Sequence, residues 1–518
     1  MKLGMNVLEL APWSTLRLHK PCMQREPFWL MPTPGDWNVR VYSTEDTPIG
    51  PAPADSGGYY SMVASEGTLP TGEYVLTYDT TPDTDDDNVR IVGTAFTHVI
   101  RLGEHVSATF QHNIAESVIL NILPGKLVTL VEIRSTLPPE DVLNTFAKKF
   151  HVVRWMDWCG VFSGATAPTP ENAETGHQSR GDGAELFPNE PDSPRWRSDT
   201  GVPPRWIIES ANEAGVDSWV NVPILYSDHE HKQLAGLYAD THHGHVYVAL
   251  ANEVWNDGFP QAALALRAAK TELPHPDAYV GRALIVLRRL AKIKTVWDAA
   301  FRDAGRDGEC TAVFEWQAGN SWAVDFNEWD NGAPVCAEAQ ALLTYVGHAA
   351  IAPYFYGGGS DSSSPIVSSV PAAIERVVAW KALCDKLGVK LHLYECGQHL
   401  MDKSVQRSPE MGQATAQYLD ALDGLLDADA VACYYGLMGK WSDTWGSWGA
   451  LEGPEDDTPK WDALARHLRP DTPTDSAQVA RAALGSALEA LNSAASSLGK
   501  VADAIQNAMN ALGREAQP

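Results

Sequence analysis

Two hydrophobic rhythms divide the chain. Between residues 28 and 137, apolar and polar positions alternate in short runs: Trp37–Tyr42, Tyr74–Tyr78, Val89–Val92, His105–Phe110 and Val118–Ile122. Gly, Pro and Asp clusters separate these runs, so the pattern predicts short strands and, together, a small β-sandwich. From residue 140 the rhythm changes to helical stretches, each followed by an unbroken apolar run. Asp141–Phe150 leads into HVVRWMDW, Arg205–Ala214 into DSWVNVPI, and His229–Thr241 into HVYVALANE. Phe259–Ala304 precedes TAVFEWQAG, Pro334–Tyr345 precedes HAAIAPYF, Pro371–Leu387 precedes VKLHLYECGQH, and Glu410–Leu426 precedes AVACYYGLM; Trp461–Leu468 closes the series. Continuous apolar runs of this length predict strands buried on both faces, as in a parallel sheet. Seven such strands, near residues 152, 218, 246, 312, 350, 391 and 431, join LGMNVLEL at the start to make eight. Eight helix-linked strands predict an α/β fold, a (β/α)₈ TIM barrel with the sandwich inserted after its first strand. No Gly-rich phosphate turn follows any strand, which argues against a doubly wound open sheet.

The predicted organisation is therefore a barrel over 1–27 and 138–468, an inserted β-domain over 28–137, a linker at 469–475 and a tail at 476–518. Residues 161–204 form a Pro/Gly/acidic stretch that follows a barrel strand, so it is expected on the catalytic face. In the tail, Leu484, Leu488, Leu491, Ala495, Leu498, Ala502, Ile505, Met509 and Leu512 keep alternating spacings of four and three. That is a heptad seam, and it predicts a helix that self-associates, with a trimer among the possibilities, or docks to a larger assembly.

Composition narrows the function. Sixty-six acidic residues against 39 basic ones leave a net charge of −27, which argues against nucleic acid or an anionic membrane surface as the partner. No window of about 18 apolar residues exists to span a membrane. The first residues lack the apolar core and cleavage site of a secretion signal, so synthesis in a cytoplasm is expected. The seven cysteines have no zinc-type spacing and fit a reduced set. The Asp83–Asp87 cluster lacks the glycine and closing glutamate of a calcium loop and reads as a hairpin turn. His229, His231, His242, His243 and His245 match no closed zinc set and read as solvated loop histidines. No metal or cofactor is implied. The 18 tryptophans are many for the length, and several stand beside Gly, Asn and Asp, where rings stack on sugars.

In a (β/α)₈ barrel the reactive groups sit at the C-terminal ends of strands. Here those ends carry Arg154 on strand two, Asn221 on strand three, Asn252-Glu253 followed by Trp255 on strand four, and Trp316-Gln317 with Asn320 on strand five. Strand six ends in Tyr354, strand seven in Tyr394-Glu395 followed by Gln398-His399, and strand eight leads to Trp441. Glu253 and Glu395 would face each other across the barrel mouth. Retaining glycoside hydrolysis needs such a pair, about 5–5.5 Å apart, one protonated and one ionised. Arg154 would keep Glu395 charged, and partial burial would keep Glu253 protonated.

These residues resemble clan A of the glycoside hydrolases, retaining enzymes on (β/α)₈ barrels. They resemble more closely a family of hydrolase-like or "cellulose-binding" barrel proteins. That resemblance is carried by Leu3-Gly4-Met5-Asn6, Arg154–Trp158, Gly201-Val202-Pro203, Asn212-Glu213, Asn221-Val222-Pro223, Asn252–Asn256 and Tyr394–His399, and spans roughly residues 1–465. It implies Glu253 as general acid/base and Glu395 as nucleophile. Asn252 would bond the sugar 2-hydroxyl, Arg154 and Tyr354 would orient Glu395, and Trp441 would floor the subsite. Cys396 stands where the family pattern usually has Gly.

The sequence thus predicts a retaining glycosidase on a β-linked polysaccharide, with Asn221, Trp255, Gln398 and His399 as further substrate-binding residues. With no secretion signal and a coil-forming tail, a bacteriophage tail depolymerase on the virion is the expected setting. The alternative is a catalytically inactive glycan-binding or structural barrel of a tail fibre or baseplate.

Overall fold

A computed structural model describes the barrel over residues 1–7, 142–159, 204–272, 278–321, 334–356 and 366–469, apart from short gaps. It also describes the strands between 29 and 135. Residues 8–28, 162–203 and 470–518 lie outside the described residues, and with them the loop expected on the catalytic face, the linker and the heptad tail. The Asp83–Asp87 turn and Gly201-Val202-Pro203 also lie outside them.

Strand β1 (Lys2–Asn6) opens the barrel. Nine strands follow before the second barrel strand: β2 (Trp29–Met31), β3 (Val39–Arg40), β4 (Gly58–Ala64), β5 (Gly72–Thr80), β6 (Val89–Ile91), β7 (Phe96–Leu102), β8 (His105–His112), β9 (Val118–Ile122) and β10 (Val128–Ser135). They form two antiparallel sheets, ordered β10-β5-β8-β7 and β3-β2-β4-β9-β6. In β5, Tyr74, Leu76 and Tyr78 are buried, and in β8 Val106, Ala108 and Phe110 are, which is the period of two read from the sequence.

The barrel resumes with helix α1 (Val142–Ala147) and β11 (Val152–Arg154), then α2 (Pro204–Ala214) and β12 (Asp217–Val222), then α3 (Asp228–Thr241) and β13 (Val246–Leu250). Helices α4 (Pro260–Glu272) and α5 (Ala278–Asp303) lead to β14 (Cys310–Ala312) and β15 (Phe314–Trp316). Then come α6 (Pro334–Val346), β16 (His348–Ile351), α7 (Val370–Leu387), β17 (Lys390–Cys396), α8 (Pro409–Leu425), β18 (Val431–Tyr434) and α9 (Pro459–Ala465). All barrel pairings are parallel, in the order β14-β13-β12-β11-β1-β18-β17-β16-β15. The two ends of that order are halves of one broken strand: β14 pairs with β13, β15 pairs with β16, and Val313 between them donates to Val248 O at 2.8 Å. Strand five therefore closes an eight-strand barrel, as expected.

The strands are almost wholly buried because helices cover the outside and side chains fill the inside. The inner cluster comprises Val152, Trp219, Tyr247, Val313, Ala350, Tyr394, Val431 and Cys433. Large rings on some strands require small residues on others. At Gly4 a Cβ would stand 2.8 Å from Cys433 Sγ and 3.0 Å from Val152 O, so β1 crosses this layer without a side chain. Among the described residues no helix is long and apolar enough to cross a membrane.

The histidines correct one expectation. His231, inside α3, and His242, its C-cap, are buried rather than solvated. Burial pushes both imidazoles down to about 4. His242 Nδ1 lies 3.0 Å from Asn212 Oδ1, so this polar core contact ties α2 to the end of α3. Among the described residues no group of His, Cys, Asp and Glu is arranged to hold a metal.

Candidate active site

Four barrel strands converge on one guanidinium. Arg154 ends β11, a strand of three buried residues, and is itself fully buried. Its Nη1 donates to Glu395 Oε1 at 2.7 Å and to Asn6 Oδ1 at 3.0 Å. Its Nη2 donates to Asn252 Oδ1 at 2.8 Å and to Glu315 Oε2 at 3.0 Å. The guanidinium lies 4.9 Å from the centroid of the Tyr394 ring, whose face favours a cation. Burial alone would lower its pKa, but Glu315 and Glu395 hold it raised. Arg154 is a fixed positive charge.

Glu395 stands one residue before the end of β17, with both oxygens bonded. Arg154 takes Oε1, and the Tyr354 hydroxyl donates to Oε2 at 2.7 Å. Tyr354 reaches it from the segment after β16. The turn beyond it explains Cys396: the left-handed backbone (φ +122°) falls one residue later, at Gly397, where a Cβ would stand 2.9 Å from the Tyr434 ring. Cys396 is the last residue of β17, fully buried and paired with Tyr434 after a register shift that follows Leu393, so the thiol precedes the turn itself.

Glu253 is treated differently. Strand β13 is buried along its whole length and ends in a kink: Ala251 (φ 54°) and Glu253 (φ 46°) are both left-handed, with Asn252 between them. Ala251 N donates to Val222 O, Asn256 N donates to Glu253 O, and Gln261 Nε2 donates to Asn252 O, which pins the kink. Non-glycine residues held there cost on the order of 1–3 kcal/mol each, a cost often found at functional sites. Glu253 Oε2 accepts from Asn256 Nδ2 at 2.8 Å. Burial and the neighbouring charge of Glu395 raise its carboxyl from the ordinary value to about 8, against the opposing pulls of Asn256 and Arg154. The two carboxyls thus occupy contrasting environments.

Asn221 joins the cluster through Nδ2, which donates to Glu315 Oε2 at 3.0 Å and to Ala251 O. Asn252 gives its side-chain oxygen to Arg154. His399 sits edge-on to Tyr354 at 5.2 Å. Trp255 packs against the core, with its carbonyl accepting from Arg282 at 3.0 Å.

Two expected substrate contacts lie elsewhere. Gln398 is buried, donating to Ser447 O and accepting from Leu400 N, so it fastens the loop after β17 to the loop after β18. Trp441 is 8% exposed, with Arg407 4.8 Å and Lys460 4.5 Å from its ring and its Nε1 bonded to Gly449 O at 2.9 Å. Its faces carry cations. The ring near the site is Trp448, 5.8 Å from His399 and 5.9 Å from Tyr435, which in turn is 6.1 Å from Tyr354.

Sequence reasoning missed Glu315. It lies mid-strand in β15, 6% exposed, and also accepts from Trp219 Nε1 at 2.9 Å. The signal was an acid inside the apolar run TAVFEW, because a carboxylate is buried in such a run only with partners waiting.

No protein-family model matches the chain, and no curated protein is similar to it. Solved structures resemble it in fold. The GH51 arabinofuranosidase from Xanthomonas axonopodis pv. citri shares 11% identity over 64% of this chain and 66% of its own, with a TM-score of 0.39. The CBM22-1–GH10 modules of the Clostridium thermocellum endo-1,4-beta-D-xylanase 10B, complexed with xylohexaose, share 9% over 87% and 96% (TM-score 0.33). The GH5-4 broad specificity endoglucanase from Bacteroides salanitronis shares 13% over 64% and 85% (TM-score 0.34). These neighbours are glycoside hydrolases, and at such scores the likeness assigns no role to any residue of this chain.

Proposed function

We propose that this chain is a retaining glycoside hydrolase acting on a β-linked polysaccharide, with Glu395 as nucleophile and Glu253 as general acid/base. The observation that carries the reading is the unequal treatment of the two carboxyls. Glu395 receives Arg154 and Tyr354 as donors, whereas Glu253 is desolvated and raised to about 8. In the first step a Glu395 oxygen attacks the anomeric carbon, the bond to the leaving oxygen breaks, and that oxygen takes the proton of Glu253. In the second, the Glu253 carboxylate takes a proton from water, the water oxygen attacks the same carbon, and Glu395 leaves as carboxylate. Asn252, whose oxygen is held by the same guanidinium that holds Glu395, is placed to donate its amide N–H to a sugar hydroxyl beside Glu395. Tyr435, His399 and Trp448 supply rings for stacking on the sugar.

The test is hydrolysis of aryl β-glycosides and bacterial surface polysaccharides by the wild type, Glu253→Gln and Glu395→Gln. Activity in the wild type, lost in both variants, is expected. Variants as active as the wild type would remove the assignment, and a wild type that binds a glycan without cleaving it would make the barrel a recognition module. The pH profile gives a second reading. A proton held by Glu253 is present below about 8 and lost as pH rises through that value, so kcat/KM should fall on an alkaline limb near 8.

The heptad segment at 476–518 is proposed to assemble copies of the chain. Truncation after residue 470 should then lower the oligomeric state measured by sedimentation, and an unchanged oligomer would remove that role.

A further inference from the structure

Glu315 has no counterpart in the two-carboxyl reaction, yet it is among the most completely bonded groups at the barrel mouth. Trp219 donates to Oε1, and Arg154 Nη2 and Asn221 Nδ2 both donate to Oε2. Every one of these partners is an N–H donor. Burial, with the nearby Glu395, raises the carboxyl above its ordinary value against the pulls of Arg154 and Asn221; the geometry, three N–H donors and no acceptor, is what suits it to be a carboxylate.

Two consequences follow from its place. Glu315 and Asn252 occupy Nη2, so Arg154 reaches Glu395 through Nη1 alone. A guanidinium without Glu315 would be free to turn and grip both oxygens of Glu395, as arginine–carboxylate pairs commonly do. That would take up the lone pairs an attacking carboxylate needs. The charge count is the second consequence. Arg154 faces Glu315 and Glu395 together, so the cluster carries one negative charge in excess. Among the described residues, the other titratable groups facing Glu253 or this cluster are Tyr354, Tyr394, Tyr435, Cys159, Cys433 and His399, with Asp157 acting on Tyr435 and Cys159 behind them. Burial raises the phenols and thiols and lowers the imidazole, so these six are uncharged near neutrality.

We propose that Glu315 is a positioning residue of this site, which holds one arm of Arg154 so that Glu395 keeps lone pairs for attack, and which adds the second negative charge to the cluster around Arg154. The proposal rests on Glu253 and Glu395 having the roles given above. It concerns a group that touches neither substrate nor reacting atoms.

Two variants separate charge from position. Glu315→Gln removes the charge and turns an NH₂ group toward donors. Glu315→Asp keeps the charge but retracts it from Arg154. On an aryl β-glycoside, both should lower kcat about tenfold or more with KM little changed, as expected when only transition-state stabilisation is lost. Only Glu315→Gln should move the alkaline limb, by about one unit toward acid. A readout independent of turnover is the ¹³C titration of glutamate carboxyls, with the Glu253 resonance assigned by its absence in Glu253→Gln. That resonance should titrate lower in Glu315→Gln than in the wild type and stay in place in Glu315→Asp. A Glu315→Gln protein with wild-type kcat and an unmoved Glu253 titration overturns the proposal and leaves the catalytic pair standing. Inactivity of the wild type, by contrast, bears on the pair, and the carboxyl titration still decides whether Glu315 acts on Glu253. Should Glu315→Gln fail to fold, Glu315→Asp carries the test, and wild-type kcat in that variant overturns the proposal.

Discussion

Glu395→Ala is expected to lower turnover by about 10³-fold or more, and sodium azide should restore part of it with a changed product. Removing the carboxylate leaves Arg154 and the Tyr354 hydroxyl as donors facing the vacated space, which suits an anion. Azide entering there would attack the anomeric carbon from the Glu395 side and displace a leaving group that Glu253 protonates. The product would be a glycosyl azide of inverted configuration. Glu253→Ala should behave oppositely. Its first step survives on activated aryl glycosides, which need little protonation, and the glycosyl-enzyme accumulates for want of a base. Azide would then attack that ester from the Glu253 side and give a glycosyl azide of retained configuration. Proton NMR of the anomeric centre reads the difference. Exchanged stereochemistry would exchange the roles, and failure of rescue in both variants would count against a covalent intermediate.

The second large effect is on stability. Arg154→Leu should destabilise the fold by about 3–5 kcal/mol, the usual cost of leaving buried charges without a partner. Here the loss strands two carboxylates at once, Glu315 and Glu395, and also removes a donor from Asn6 and Asn252. Arg154→Lys should recover only part, because one ammonium cannot span partners on two sides. Combining Arg154→Leu with Glu315→Leu should cost less than the two changes added, because the second removes a charge that the first left unpaired. Denaturant unfolding of the four proteins gives the coupling. Strict additivity would mean that the 3.0 Å contact between Arg154 and Glu315 carries no weight.

The barrel was legible because its strands are unbroken apolar runs, and burial on two faces leaves that mark whatever the register. Helix α3 begins at Asp228, one residue before the expected His229, where reciprocal side-chain bonds between Ser227 and Glu230 cap it. Strands β4, β7 and β10 were missed, since Gly58–Ala64 and Phe96–Leu102 interleave polar and apolar residues without regular alternation and owe their form to partners across the sheet. Within the site, the strand-end residues Arg154, Asn252 and Glu395 were legible. Glu315 was not, because whether a mid-strand residue faces the lumen depends on register, and strand five changes partner at Val313. The choice between Trp441 and Trp448 was hidden for another reason. It depends on the backbone at Gly446 (φ +110°), where a Cβ would stand 2.3 Å from the Trp448 ring.

Where β1 sits has a consequence for the order in which the molecule is made. Gly4 pairs with Val152 on one side and Cys433 on the other, so this strand leaves the ribosome well before the two partners between which it lies. At about 5–20 residues per second, β18 follows β1 by roughly 20–90 s. For that interval the growing chain holds an incomplete sheet with a buried-type apolar strand at its edge, a template for wrong pairing. The inserted sheets are antiparallel and find all their strand partners between residues 29 and 135, so they can complete themselves while the barrel waits. Mutations that slow their folding should therefore appear as lost soluble yield during synthesis, with little change in the finished protein's stability.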